Sequence, residues 1–183
     1  MPDKLEFSDK EAWHDLWPGA KPDPGNWPIH YIIYYLCKQM MARETLEIGI
    51  GQRCNGTYMM GLHAKETGGH HTGIDVSPTC LGRAKMIVEK FDLPVTILNC
   101  DSKAVVWNKR LDLCYVDGGH TYDQVVGDIK RYSPFIKRNG LMIFDDYGKK
   151  HLQVTEAVDD LYDEELWDML YLPHLRWVIW RRK

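Results

Sequence analysis

The chain has 183 residues, 44% of them hydrophobic and 27% charged, with 23 basic against 26 acidic residues and a net charge of -3. That length fits one domain with enough apolar surface to offset the entropy of ordering, and the slightly acidic balance excludes the basic footprint of a protein that grips nucleic acid non-specifically. No run approaches the ~18 apolar residues of a membrane span and the charged N-terminus MPDKLEFSDKEAWHDLW has no apolar targeting core, so a soluble, cytoplasmic protein is expected. The five cysteines (Cys37, Cys54, Cys80, Cys100, Cys114) form no CxxC and no even framework, which makes them small buried hydrophobes rather than zinc ligands or disulfides.

Residues 1–28 hold five of the nine prolines and three tryptophans (Trp13, Trp17, Trp27), which predicts an irregular arm with some helix near residues 9–17. Residues 30–42 are rich in bulky apolar side chains and read as a helix packed on the main body. From there short apolar runs at 45–48, 72–76, 94–98, 111–116 and 141–144 alternate with helical stretches, the βαβ signature of a parallel sheet. Ser77 before Pro78 is a helix N-cap, and Thr121 with Gln124 three residues on is a capping box. The helix after Thr121 carries Val125, Ile129, Tyr132 and Ile136 on one stripe, with a kink expected at Pro134 and a left-handed cap at Asn139-Gly140. A helix over 154–164 precedes two last runs, 166–172 and 176–180, with no room between them for a crossover, so they should pair antiparallel. The expected architecture is one α/β domain over 1–183: an arm and helix over 1–44, then a doubly wound core over 45–183 with a seven-stranded, mostly parallel sheet and a C-terminal hairpin.

In open α/β sheets ligands sit beyond the carboxyl ends of the strands, so the residues there matter most. Gly49 and Gly51 follow the first strand and let the backbone turn tightly beside a ligand, although a GxG can be a simple turn. Asp75 ends the second strand 24 residues beyond Gly51, where a carboxylate can accept from a ribose diol or complement the next helix dipole. Asp101 and Ser102 follow the third strand; Asp101 could accept from an adenine amino group or act as another cap. The fourth strand ends in Asp117-Gly118-Gly119-His120-Thr121-Tyr122 and the fifth in Asp145-Asp146-Tyr147. Three carboxylates converging there would repel unless a cation such as Mg²⁺ or Ca²⁺ sat between them, the alternative being solvated turn residues. His120 is placed to act as a general base near that cation, against the commoner structural role of a turn histidine.

These residues resemble a family. Residues 46–147 look like a class I S-adenosylmethionine-dependent methyltransferase, with a Rossmann-like sheet. The DGGHTY and DDY stretches are similar to those of the metal-dependent O-methyltransferases, within them the macrocin O-methyltransferase and cephalosporin-hydroxylase-like group, and more distantly catechol O-methyltransferase. The resemblance implies that Glu47, Gly49 and Gly51 hold the methionine end of the cofactor, Asp75 the ribose, and Asp101 and Ser102 the adenine. It implies Asp117, Asp145 and Asp146 as metal ligands, Asp117 also lying against the cofactor, and His120 as the catalytic base. Arg53 stands where the commonest motif has a third glycine, so Asn55-Gly56 is expected to supply the turn.

The expected activity is methyl transfer to a hydroxyl of a small-molecule acceptor such as a sugar, polyol or catechol-like diol, with no nucleic-acid or membrane partner. Trp13, Trp17, Trp27 and Tyr31 could cover the site or simply pack, and a small domain with such an arm would gain from forming a homodimer. Two other readings share part of the pattern: an NAD-dependent oxidoreductase, disfavoured by Cys54 at the third position of GxGxxG, and a non-catalytic module that keeps the cofactor fold.

Overall fold

The computed structural model describes residues 27–183. The helix expected near residues 9–17, and the side chains of Trp13, Trp17 and Trp27, lie outside the residues so described. The elements in chain order are α1 (Trp27–Met40), β1 (Glu44–Ile48), α2 (Asn55–Thr67), β2 (His70–Asp75), α3 (Pro78–Phe91), β3 (Val95–Asn99), β4 (Leu111–Val116), α4 (Tyr122–Tyr132), β5 (Ile136–Phe144), α5 (Leu152–Asp160), β6 (Trp167–Leu172) and β7 (Trp177–Arg182). The sheet runs β3-β2-β1-β4-β5-β7-β6. Its first five strands are parallel, and β7 pairs antiparallel with both β5 and β6. The expected mostly parallel sheet with a closing hairpin is therefore present. No described helix is long and apolar enough to cross a membrane.

Alternation along the strands sorts the side chains into two layers. Leu46, Ile48, Cys114, Val116, Met142 and Phe144 face α4 and α5. Leu113, Tyr115, Leu141 and Ile143 face α1. Tyr31, one of the aromatics considered as a cover for the site, packs instead on the cluster formed by α2, α3 and Ile50. All five cysteines are free, and four of them are buried.

Ser77 caps α3 as expected, its Oγ accepting from the Cys80 amide at 3.4 Å, with Pro78 in the first turn. The Thr121 amide donates to Gln124 Oε1 at 3.4 Å, the return arm of the capping box. Two expectations at the end of α4 are corrected. Pro134 terminates the helix rather than kinking it: α4 stops at Tyr132 and Pro134 sits in a short 3₁₀ turn, because proline has no N–H to continue the i→i−4 ladder and its ring crowds the preceding turn. Asn139-Gly140 is no helix cap. It lies inside β5, which begins at Ile136, where the β4 register passes from Leu111↔Ile136 to Leu113↔Leu141. Asn139 takes the extra residues of that bulge through a left-handed backbone with φ 63°.

Candidate active site

The β1 crest turns sharply. Gly49 (φ 88°) and Gly51 (φ 66°) are left-handed, and Cys54 (φ 51°) takes the third such position just before α2. Cys54, and not Asn55-Gly56, therefore supplies the turn, since Asn55 already opens the helix. A Cβ on Gly49 would collide with the Asp117 carbonyl, so only glycine lets the β1 and β4 crests approach. Gly56 serves a different end: a Cβ there would collide with the Glu47 carboxylate.

Two grooves open along the strand ends. One, of about 390 Å³, is lined among others by Gly49, Gly51, Asp75, Asp101, Ser102 and Asp117. The other, of about 230 Å³, includes Glu47, Gly51, Asp117, Asp145, Asp146 and Arg176. Gly51 and Asp117 border both, and each residue assigned above to the cofactor or the metal lines one groove or the other. His120 stands beside them, 2.7 Å through Nε2 from Asp146 Oδ2.

Asp75 braces the β1 loop as well as facing the first groove: its oxygens accept from the amides of Gly51 (3.0 Å) and Ser77 (2.7 Å). Asp101 Oδ1 accepts from the Lys103 amide at 2.8 Å, which is the capping role left open above. Ser102 Oγ donates to Asp128 Oδ1 at 2.5 Å. Asp128 went unremarked in the sequence, where the signal was a carboxylate beside the apolar stripe of α4. It is 3% exposed and also lines the first groove, and burial pushes its carboxyl up to about 6.

Around the second groove the sequence missed three partners. Tyr115 hydroxyl donates to Asp145 Oδ2 at 2.7 Å and reaches toward Asp117 Oδ2 at 3.5 Å. Arg176, in a left-handed turn before β7, brings Nη1 to 2.6 Å from Asp146 Oδ1 and Nη2 to 3.9 Å from Asp145 Oδ1. His151 stacks on His120 with ring centroids 4.4 Å apart. Burial, then repulsion from Asp145, Glu47 and Asp146, holds the Asp117 carboxyl well above the usual range. At Asp145 and Asp146 the expected repulsion is met by the Arg176 guanidinium, a source of positive charge not singled out from the sequence.

Beneath the crest Glu47 is 1% exposed and accepts from Thr57 Oγ1. His71 Nε2 lies 3.6 Å from Glu47 Oε2, too far for a hydrogen bond, while His71 Nδ1 meets Thr45 Oγ1 at 2.9 Å. Burial pushes Glu47 up to about 8, with Asp75 adding to the rise and the Thr57 hydroxyl opposing it; burial also pulls His71 down to about 3. Both are therefore neutral in the fold near pH 7. The native state holds an extra proton on Glu47 between its ordinary value of 4.5 and about 8, so Glu47 costs stability as pH rises through that window. His71 acts oppositely, with stability rising up to its ordinary value of 6.5 and no further change above it. Between those upper limits Glu47→Gln should flatten the loss of stability by roughly 1 kcal/mol per pH unit relative to the parent, as read by urea denaturation. Parallel profiles would show Glu47 ionised in the native state.

A family model described as a methyltransferase domain matches residues 46–147. No curated protein matches the sequence significantly. Solved structures share the fold at low identity. A methyltransferase of Podospora anserina solved with SAH bound superposes with TM-score 0.70 at 14% identity, covering 100% of this chain and 98% of that one. A protein of Staphylococcus aureus described as a candidate caffeoyl-CoA O-methyltransferase gives 0.72 at 15% identity over 94% and 90%. A TDP-rhamnose 3′-O-methyltransferase of calicheamicin biosynthesis gives 0.71 at 12% over 99% and 96%. The matched segment runs from within β1 to just past β5 and so contains the crest that builds both grooves, and the chain belongs to the methyltransferase-domain family.

Proposed function

We propose that this protein is an S-adenosylmethionine-dependent methyltransferase that acts on a hydroxyl of a small molecule such as a sugar, polyol or catechol-like diol. The observation that carries the reading is the pair of grooves meeting at Gly51 and Asp117: one suits an adenosine, the other an acceptor beside carboxylates and a histidine. The SAH in the Podospora structure and the O-methyl transfer named for two other neighbours support it. When bound, the sulfonium cofactor supplies a methyl group already activated for in-line attack. Asp75 retains lone pairs for ribose hydroxyls after its two backbone bonds, and Asp101 and Ser102 lie toward the adenine end. Glu47 and Asp117 border the methionine end, where a cationic ligand would favour the ionised form of carboxyls that burial otherwise keeps protonated.

Acceptor activation falls to His120. With Nε2 donating to Asp146 Oδ2, the imidazole takes the tautomer whose Nδ1 lone pair is free to accept the hydroxyl proton. Asp146 fixes the ring and stabilises the imidazolium that forms. Asp117, Asp145 and Asp146 offer the all-oxygen donor set that a hard divalent cation such as Mg²⁺ prefers; such an ion would relieve their mutual repulsion and draw their oxygens closer than they now stand. It would take over the charge that Arg176 now balances and lower the pKa of a coordinated acceptor hydroxyl.

S-adenosylhomocysteine should bind in the micromolar range, about −8 kcal/mol, whereas NAD should not bind. Asp75→Ala should weaken that binding by roughly 1–3 kcal/mol in calorimetry; NAD binding in place of S-adenosylhomocysteine would overturn the cofactor assignment. His120→Ala should slow single-turnover transfer on the order of 10²–10⁴-fold with cofactor affinity nearly unchanged. A near-normal rate in His120→Asn would leave the residue a positioning one. Chelation should abolish transfer while S-adenosylmethionine stays bound; full activity of metal-stripped protein in excess chelator would instead assign the compensating charge to Arg176 alone.

A further inference from the structure

The two oxygens of Asp146 face different neighbours. Oδ1 turns inward to Arg176, while Oδ2 meets two imidazole nitrogens arriving from separate loops: His120 Nε2 at 2.7 Å and His151 Nε2 at 3.6 Å. The two rings stack at 26°. Ligand atoms of His120, Asp146 and His151 all lie within 4.8 Å of one another, a clustering that Asp117, Asp145 and Asp146 do not show among the described residues. We propose that His120, Asp146 and His151 form a binding site for a borderline divalent cation of the Zn²⁺, Co²⁺ or Ni²⁺ type, distinct from the all-carboxylate set on the inner side of Asp146.

The donor chemistry selects the ion. Imidazole nitrogen suits zinc, cobalt and nickel, whereas Mg²⁺ prefers oxygen and gives up its water reluctantly. Metal–ligand bonds of ~2.0–2.1 Å at a tetrahedral angle put neighbouring ligand atoms roughly 3.3 Å apart. The His151–Asp146 separation is already close to this, the His120–Asp146 pair opens by a fraction of an ångström as the shared proton leaves, and the stacked rings must swing apart so that both Nε2 lone pairs, which lie in the ring planes, point at one ion. The loop between Asp146 and His151 is tied down, with Gly148 N donating to Thr155 Oγ1 at 2.8 Å and the Arg176 guanidinium holding the far oxygen of Asp146. His120 and His151 keep some solvent exposure, which gives an ion its route in. Three protein ligands leave one position for water.

A consequence rests on the function proposed above. A cation on Nε2 takes that nitrogen's lone pair and leaves the ring proton on His120 Nδ1, which can then accept no proton from the acceptor hydroxyl, so filling this site should inhibit methyl transfer.

The test is metal binding by the full chain, stripped of metal and without cofactor. Zn²⁺ is titrated by calorimetry and Co²⁺ by its visible absorption. One equivalent should bind, and His151→Ala and His120→Ala should each weaken it at least tenfold while Asp117→Asn leaves it unchanged; thermal melts check that each variant is folded. Absence of binding, or less than a tenfold loss in folded His151→Ala, would overturn the proposal, as would loss in Asp117→Asn with retention in His151→Ala. Inhibition of transfer by Zn²⁺ in the parent and its absence in His151→Ala is the separate arm. Binding through both histidines without inhibition would leave the metal site in place and remove His120 from the role of base.

Discussion

Three backbone hydrogen bonds carry the sheet ladder one step beyond its strands, and the site depends on them. Gly49 N donates to Ile74 O (2.9 Å), Asp117 N to Ile48 O (2.8 Å) and Asp145 N to Val116 O (3.0 Å). Each residue just past β1, β4 or β5 is thereby pinned to the end of the neighbouring strand. The groove walls inherit the rigidity of the sheet, where a free loop would have to be ordered at an entropic cost of ~1–2 kcal/mol per residue. Gly49 is the condition for this arrangement, because any larger residue would push the Asp117 carbonyl away.

Crowding the crest has an electrostatic consequence. Glu47 is buried and Asp117 half-buried, Asp145 and Asp146 stand beside them, and Arg176 is the guanidinium paired with the last two. Burial and mutual repulsion keep Asp117 and Glu47 protonated more readily than free carboxyls, so the site disfavours further negative charge. A cationic ligand favours the ionised form of these carboxyls, so its binding is coupled to release of their protons. A sulfonium that becomes a neutral thioether on transfer would lose part of its attraction to the ionised carboxyls, which favours product release.

How much of this could be read from the sequence follows from chain distance. The parallel strands were legible because they are short apolar runs closed by Gly or Asp, and the crest residues follow them directly. The start of β5 was not, since Lys137, Arg138, Asn139 and Gly140 break the apolar pattern, and a left-handed Asn-Gly serves a helix cap or a bulge equally well. Tyr115 was hidden because a tyrosine in an apolar strand reads as core; only its hydroxyl, at the strand end, reaches the carboxylates. Asp128 lies on α4 and His151 just before α5, and only the packing of those helices brings them to the site, which no local spacing encodes.

Arg176 illustrates why the C-terminal hairpin matters to the site. Every parallel strand delivers the residue after its end to the crest, but β7 runs antiparallel to β5, with Val178 opposite Phe144. Its beginning therefore lies at the carboxyl end of β5, so the residue preceding β7 faces the residues following β5. Tyr147 N donates to Arg176 O at 2.9 Å, fixing that register one step further. The left-handed turn at Arg176 (φ 57°) then lets the chain reverse while its guanidinium extends over Asp145 and Asp146. A sixth parallel strand would have delivered its end to this place through a crossover helix. The reversed strand instead brings a cation from far along the sequence to the carboxylates at the end of β5.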